Sequence, residues 1–88
     1  MRHFLLAFLL FASLDAADKK QVLLVAGRPS HGPGEHEHNA GVQLLAKCLR
    51  EGAADEVEVT VALNGQWPSD EIVAKADTIL IYSDGGNG

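Results

Sequence analysis

Apolar residues follow two different rhythms along this chain. Gln21-Val22-Leu23-Leu24-Val25-Ala26 is a short, continuously apolar run ended by Gly27, the pattern of a strand buried on both faces. Residues 28 to 38 (RPSHGPGEHEH) hold two prolines and two glycines, Gly32 and Gly34, and read as a loop. From Asn39 the spacing becomes helical: Val42, Leu45, Ala46 and Leu49 share a face, flanked by Leu44 and Cys48, and Gly52 supplies a stop. A helix over about 37–51 is predicted, with Lys47 and Arg50 at its C-terminal end, where cations are favoured. Val57, Val59 and Val61 alternate with Glu58 and Thr60, as in a strand with one polar face. Asn64-Gly65 and Trp67-Pro68 mark a loop, and Trp67-Pro68 is expected as a hydrophobic lid over the sheet edge. Ser69, Asp70 and Glu71 suit a helix N-terminus, so a short helix over about 69–76 follows. Thr78-Ile79-Leu80-Ile81-Tyr82 is a second strand of the buried type, opening into Ser83-Asp84-Gly85-Gly86-Asn87-Gly88.

The series is β-α-β-α-β, which implies a parallel sheet with right-handed crossovers. The polar face of the middle strand puts it at an edge, so the strand order 2-1-3 is expected. That is the opening of a flavodoxin-like α/β fold, a three-layer sandwich of which only the first β-α-β-α-β is present. Its crevice lies outside the carboxyl ends of the strands, where the connections leave the first strand in opposite directions. The loops at 27–38 and 83–88 face that crevice.

Phe4 to Leu14 is apolar apart from Ser13; Arg2 and His3 precede it and Asp15-Ala16-Ala17-Asp18 follows. A basic start, an apolar run and a small-residue exit form the layout of an export signal. The run is shorter than the roughly 20 residues a membrane-spanning helix needs. Residues 1–16 are therefore expected to be a cleaved signal peptide, cut after Ala16 or Ala17, leaving no stable membrane span and a secreted or periplasmic product. Removing one basic residue, Arg2, and one acidic residue, Asp15, keeps the formal charge at −5. That acidity argues against nucleic acid, whose phosphates call for clustered Lys and Arg. Cys48 is the single cysteine and is expected as a small core residue.

The first crevice loop holds His31, Glu35, His36, Glu37 and His38 within eight residues. Metal ligation, hydrogen bonding to a substrate or another loop, and loop-tying are all open to them. If residues 35–38 begin the helix, His36 and His38 project about 200° apart, so no metal ligand is assigned, and no cofactor is expected. The glycine-rich end could bring backbone amides to a ligand. It is no phosphate loop, and Gly27 to Gly32 is no dinucleotide fingerprint, because the glycine spacing is wrong. Without a Gly-x-Ser-x-Gly elbow, Ser30 and Ser83 are weak candidates for a nucleophile.

Four stretches resemble the ThuA-like (trehalose utilisation) domains of the class I glutamine amidotransferase-like superfamily. They are 22–27 (VLLVAG), 30–37 (SHGPGEHE), 40–45 (AGVQLL) and 76–86 (ADTILIYSDGG). The resemblance spans most of residues 21–86 and makes residues 17–88 the N-terminal part of such a domain. It implies a flavodoxin-like fold and a link to carbohydrate metabolism. The nucleophilic Cys of related amidotransferases follows a later strand, and Cys48 does not match it, so that chemistry is not carried over. The expected function is binding of, or action on, a sugar or sugar-derived small molecule at the carboxyl edge of the sheet. His31 and His36 are the candidate catalytic acid/base residues, and Glu35, Ser83, Asp84, Gly85 and Gly86 the substrate-binding ones. The alternative is a non-catalytic binding or scaffold domain, with further domains of the same protein as partners.

Two outcomes check this reading. N-terminal sequencing of the exported protein is expected to begin near Ala17 or Asp18. An apolar strand with one neighbour invites a further strand, so residues 17–88 alone are expected to lack a cooperative thermal transition, whereas a chain extended by about 100 to 150 residues folds.

Overall fold

The computed structural model describes residues 18–84. Five elements follow one another: β1 (Lys20–Ala26), α1 (His38–Gly52), β2 (Val57–Ala62), α2 (Asp70–Lys75) and β3 (Thr78–Tyr82). The strands form a parallel sheet in the order β2-β1-β3, the flavodoxin-like opening expected from the β-α-β-α-β pattern. The signal segment, residues 1–16, and Gly85 and Gly86 lie outside the described residues. Among the described residues no helix is long and apolar enough to cross a membrane.

β1 is central because it is the strand that tolerates burial on both faces. Val22 pairs with Val59 and Thr78, and Leu24 with Val61 and Leu80. Leu23, Leu24, Val25 and Ala26 are all buried. The alternation of side chains sends Leu24 and Ala26 to the face covered by α1, where they pack with Val42 and Ala46. Val22, Leu45, Leu49, Val59, Val61 and Leu63 close round this cluster. Each large aliphatic side chain fully buried here contributes about 1.5–3 kcal/mol. The register is clipped at the start of β1, where Gln21 and Asp77 exchange two bonds. The Gln21 amide donates to Asp77 Oδ2 at 2.7 Å, and the Asp77 amide to the Gln21 carbonyl at 2.8 Å.

Edge strand β2 keeps its polar Glu58 exposed, and Arg50, in the last turn of α1, donates to the Val59 carbonyl at 2.9 Å. The second helix is capped as the sequence suggests: Ser69 Oγ accepts from the Ile72 amide at 3.3 Å, with Asp70 and Glu71 in the first turn. It buries none of its residues.

Three expectations about burial are corrected. β3, read as a buried-type strand, is exposed at every position, with Ile81 58% accessible. It has one strand neighbour, and α2 is too short and polar to cover it. Cys48 is exposed rather than a core residue, because two positions beyond buried Ala46 is about 200° round the helix. Trp67 is 58% exposed, so it does not act as a lid.

One close approach ties α1 to β3. A Cβ at Gly41 would meet Tyr82 Cε2 at 2.7 Å and Cδ2 at 3.0 Å, so a larger residue there must push the ring or the helix aside. Alanine normally stabilises a helix interior by about 0.5–1 kcal/mol over glycine. Overpacking costs about 1–3 kcal/mol, and the steric term is expected to win. Gly41→Ala is therefore predicted to lower stability in urea denaturation of the full-length protein by about 1 kcal/mol or more, with the loss reduced when Tyr82→Val is added. A more stable Gly41→Ala variant would show that the contact is not tight.

Candidate functional site at the carboxyl edge of the sheet

The carboxyl ends of the strands are stitched together by backbone bonds. The Gly27 amide donates to the Tyr82 carbonyl and the Gly65 amide to the Ala26 carbonyl, each at 2.9 Å. Asn39, at the start of α1, and Asn64, after β2, exchange two bonds: Asn39 Nδ2 donates to Asn64 Oδ1 at 2.8 Å, and the Asn64 amide to Asn39 Oδ1 at 2.9 Å. This frame carries the 27–38 loop and delivers Ser83 and Asp84 beside it.

His38 anchors the loop from below. It is buried, its Nδ1 lies 3.0 Å from the Arg28 carbonyl, and its ring meets Tyr82 edge-to-face at 4.8 Å. With its proton on Nδ1 it satisfies a carbonyl at the loop's start from the loop's end. The helix begins at His38 rather than earlier, so His36 belongs to the loop. That corrects the premise used to set aside shared ligation: His36 and His38 do not occupy one helical turn.

The two carboxylates of the loop fold it upon itself. Glu35 Oε2 accepts from the Gly32 amide at 3.1 Å, and Glu37 Oε1 from the Gly34 amide at 2.8 Å. Glu35, expected to bind substrate, thus has its carboxylate turned onto the loop backbone. His31 and His36 both sit in the left-handed backbone region, with φ of 64° and 44°. Histidine is among the non-glycine residues that adopt this conformation most readily. The result is that two imidazoles five positions apart meet edge-to-face, ring centres 4.3 Å apart.

Asp84 joins them from the end of β3. Ser30 Oγ donates to Asp84 Oδ2 at 2.5 Å, and His36 Nδ1 lies 3.4 Å from the same oxygen and 3.3 Å from Ser30 Oγ. This is not a serine nucleophile with its relay. The hydroxyl proton goes to the carboxylate, whereas an activated serine gives its proton to an imidazole held by a separate acid. What the cluster offers is a carboxylate oriented by Ser30 beside an imidazole, both reachable from solvent. The His36 and Asp84 side chains are 46% and 27% exposed. His31, His36 and Asp84 each bring one ligand-capable atom within 4.8 Å of the others.

The structure therefore gathers three of the expected site residues, His31, His36 and Asp84, and adds Ser30, which the sequence marked only as a weak nucleophile. Its role could be found from topology alone, since Ser30 and Asp84 follow adjacent parallel strands. Ser83 lies against the backbone of β1's end, where a Cβ at Gly27 would come 2.7 Å from its Oγ. A separate groove of about 520 Å³ runs between α1 and β2, lined in part by Gln43, Lys47, Arg50 and Leu63. It shares no residue with this cluster, and only the cluster stands at the switch point where α/β sheets bind ligands. No protein family, no curated protein and no solved structure matches this chain.

Proposed function

We propose that the chain is the N-terminal part of an exported ThuA-like domain that binds or acts on a sugar or sugar-derived small molecule at the carboxyl edge of its sheet. The observation that carries the proposal is the convergence of Ser30, His36 and Asp84 at the crevice between the ends of β1 and β3. Carboxylates are effective acceptors for sugar hydroxyls, because an ionised acceptor forms shorter and stronger hydrogen bonds than a neutral one. With its proton on Nδ1 facing Asp84, His36 presents Nε2 as an acceptor, which is the arrangement a general base needs. His31, edge-on to it, is placed for the complementary acid. The sequence stretches that resemble the ThuA-like domains include both halves of this cluster, at residues 30–37 and 76–86.

The test is saturation-transfer NMR on the full-length protein against a panel of mono- and disaccharides, trehalose included. At least one sugar is expected to bind. Asp84→Asn and His36→Ala are each expected to weaken binding by roughly tenfold, the loss of one hydrogen bond to a charged group; Asp55→Asn, on the exposed turn before β2, is expected to leave it unchanged. A panel with no binder, or a binder indifferent to both crevice variants, would contradict the proposal and leave a scaffold role as the better description.

A further inference from the structure

We propose that His31, His36 and Asp84 form a binding site for a zinc-type divalent transition cation, open to solvent on one side. The ion shares the crevice of the proposed sugar site, and the inference rests on that crevice, but ion binding needs no sugar. The donor set is two imidazole nitrogens and one carboxylate oxygen; the ion takes the place of the proton that His36 Nδ1 otherwise holds toward Asp84, and that proton is released on binding. Such borderline donors favour zinc and its first-row neighbours, whereas magnesium and calcium take all-oxygen sets. Ligands about 2.0–2.2 Å from a tetrahedral ion stand about 3.4 Å apart. His36 Nδ1 and Asp84 Oδ2 are 3.4 Å apart. That is long for a charge-assisted hydrogen bond, which runs to about 2.7–2.9 Å, and it matches the spacing of two ligands on one ion. The 4.8 Å bound on the whole trio leaves His31 to close by no more than about 1.4 Å to reach the ligand spacing of about 3.4 Å, within reach of a side-chain rotation on an exposed loop.

The surroundings suit an ion as well. A ligating carboxylate is usually held by a further hydrogen bond, and Ser30 Oγ supplies one to Asp84. The left-handed backbone at His31 and His36 turns both rings toward each other on a loop that Glu35 and Glu37 brace from within. Three protein ligands leave a position for water or another oxygen, the composition of a reactive rather than a structural zinc site. A sugar hydroxyl is the oxygen the crevice would offer it.

The experiment is calorimetric titration of Zn²⁺ into the full-length protein after chelator treatment, in a Cys48→Ser background so that the exposed thiol does not compete. One ion per chain is expected, with affinity reduced at least about tenfold in His31→Ala, in His36→Ala and in Asp84→Asn, and unchanged in Asp55→Asn. Amide NMR spectra establish that each variant is folded. As a readout that needs no variant, Co²⁺ is expected to give the intense visible bands of a four- or five-coordinate site. Absence of stoichiometric binding, binding that survives His31→Ala and Asp84→Asn, or a Co²⁺ spectrum like that of the aqueous ion would each overturn the proposal. Zinc binding without any sugar binder sinks the carbohydrate reading alone; sugar binding in chelator with no zinc site sinks the ion alone.

Discussion

Everything in this structure depends on β1 being hydrogen-bonded along both edges while apolar on both faces. Leu24 and Ala26 are buried because β2 and β3 pair on either side of them and α1 covers their face. Two connections leaving a central strand in opposite directions create a gap at its carboxyl end. The 27–38 loop enters that gap because Ala26 is the last residue the sheet pairs in β1. A change that moved β1 to an edge would remove the crevice and scatter the residues that meet there.

The loop itself is held by a buried imidazole rather than by apolar packing. His38 links the Arg28 carbonyl to the Tyr82 ring, and Tyr82 lies against Gly41 at the first turns of α1. One residue thereby joins the loop, the helix and β3. The histidines above it are exposed, and Asp84, following β3, completes the cluster from across the strand boundary. Architecture and chemistry are divided between neighbouring residues of the same type: His38 is structural, while His31 and His36 face solvent.

The strands and helices were legible in the sequence because their signals are local. The switch from continuous to helical to alternating apolar spacing sets the element order, and the charged face of β2 sets the strand order. The open edge of β3 was legible, because the order 2-1-3 leaves it one neighbour; the exposure of its faces was not, because Thr78 to Tyr82 is as apolar as β1 and composition does not say what covers a strand. Cys48 was misplaced for a similar reason: it flanks the helical stripe in sequence but lies on its far side in space. At the site, His36 and Asp84 were legible as candidates from residue type and from their loops. That Ser30 and Asp84 come near one another follows from the strand order, although they stand 54 positions apart in the chain; the facing of the two imidazoles depends on left-handed backbone angles at His31 and His36, which leave no pattern in the sequence.

The central claim is that the loop after β1 and the end of β3 form one site through the Asp84 carboxylate. A double-mutant cycle between Ser30→Ala and Asp84→Ala, read by urea denaturation of the full-length protein, tests it most directly. The account predicts that the two changes are coupled by about 0.5 kcal/mol or more, since the second removes a partner already lost in the first. Effects that add to within about 0.3 kcal/mol would mean that the two segments act independently and that no shared site exists.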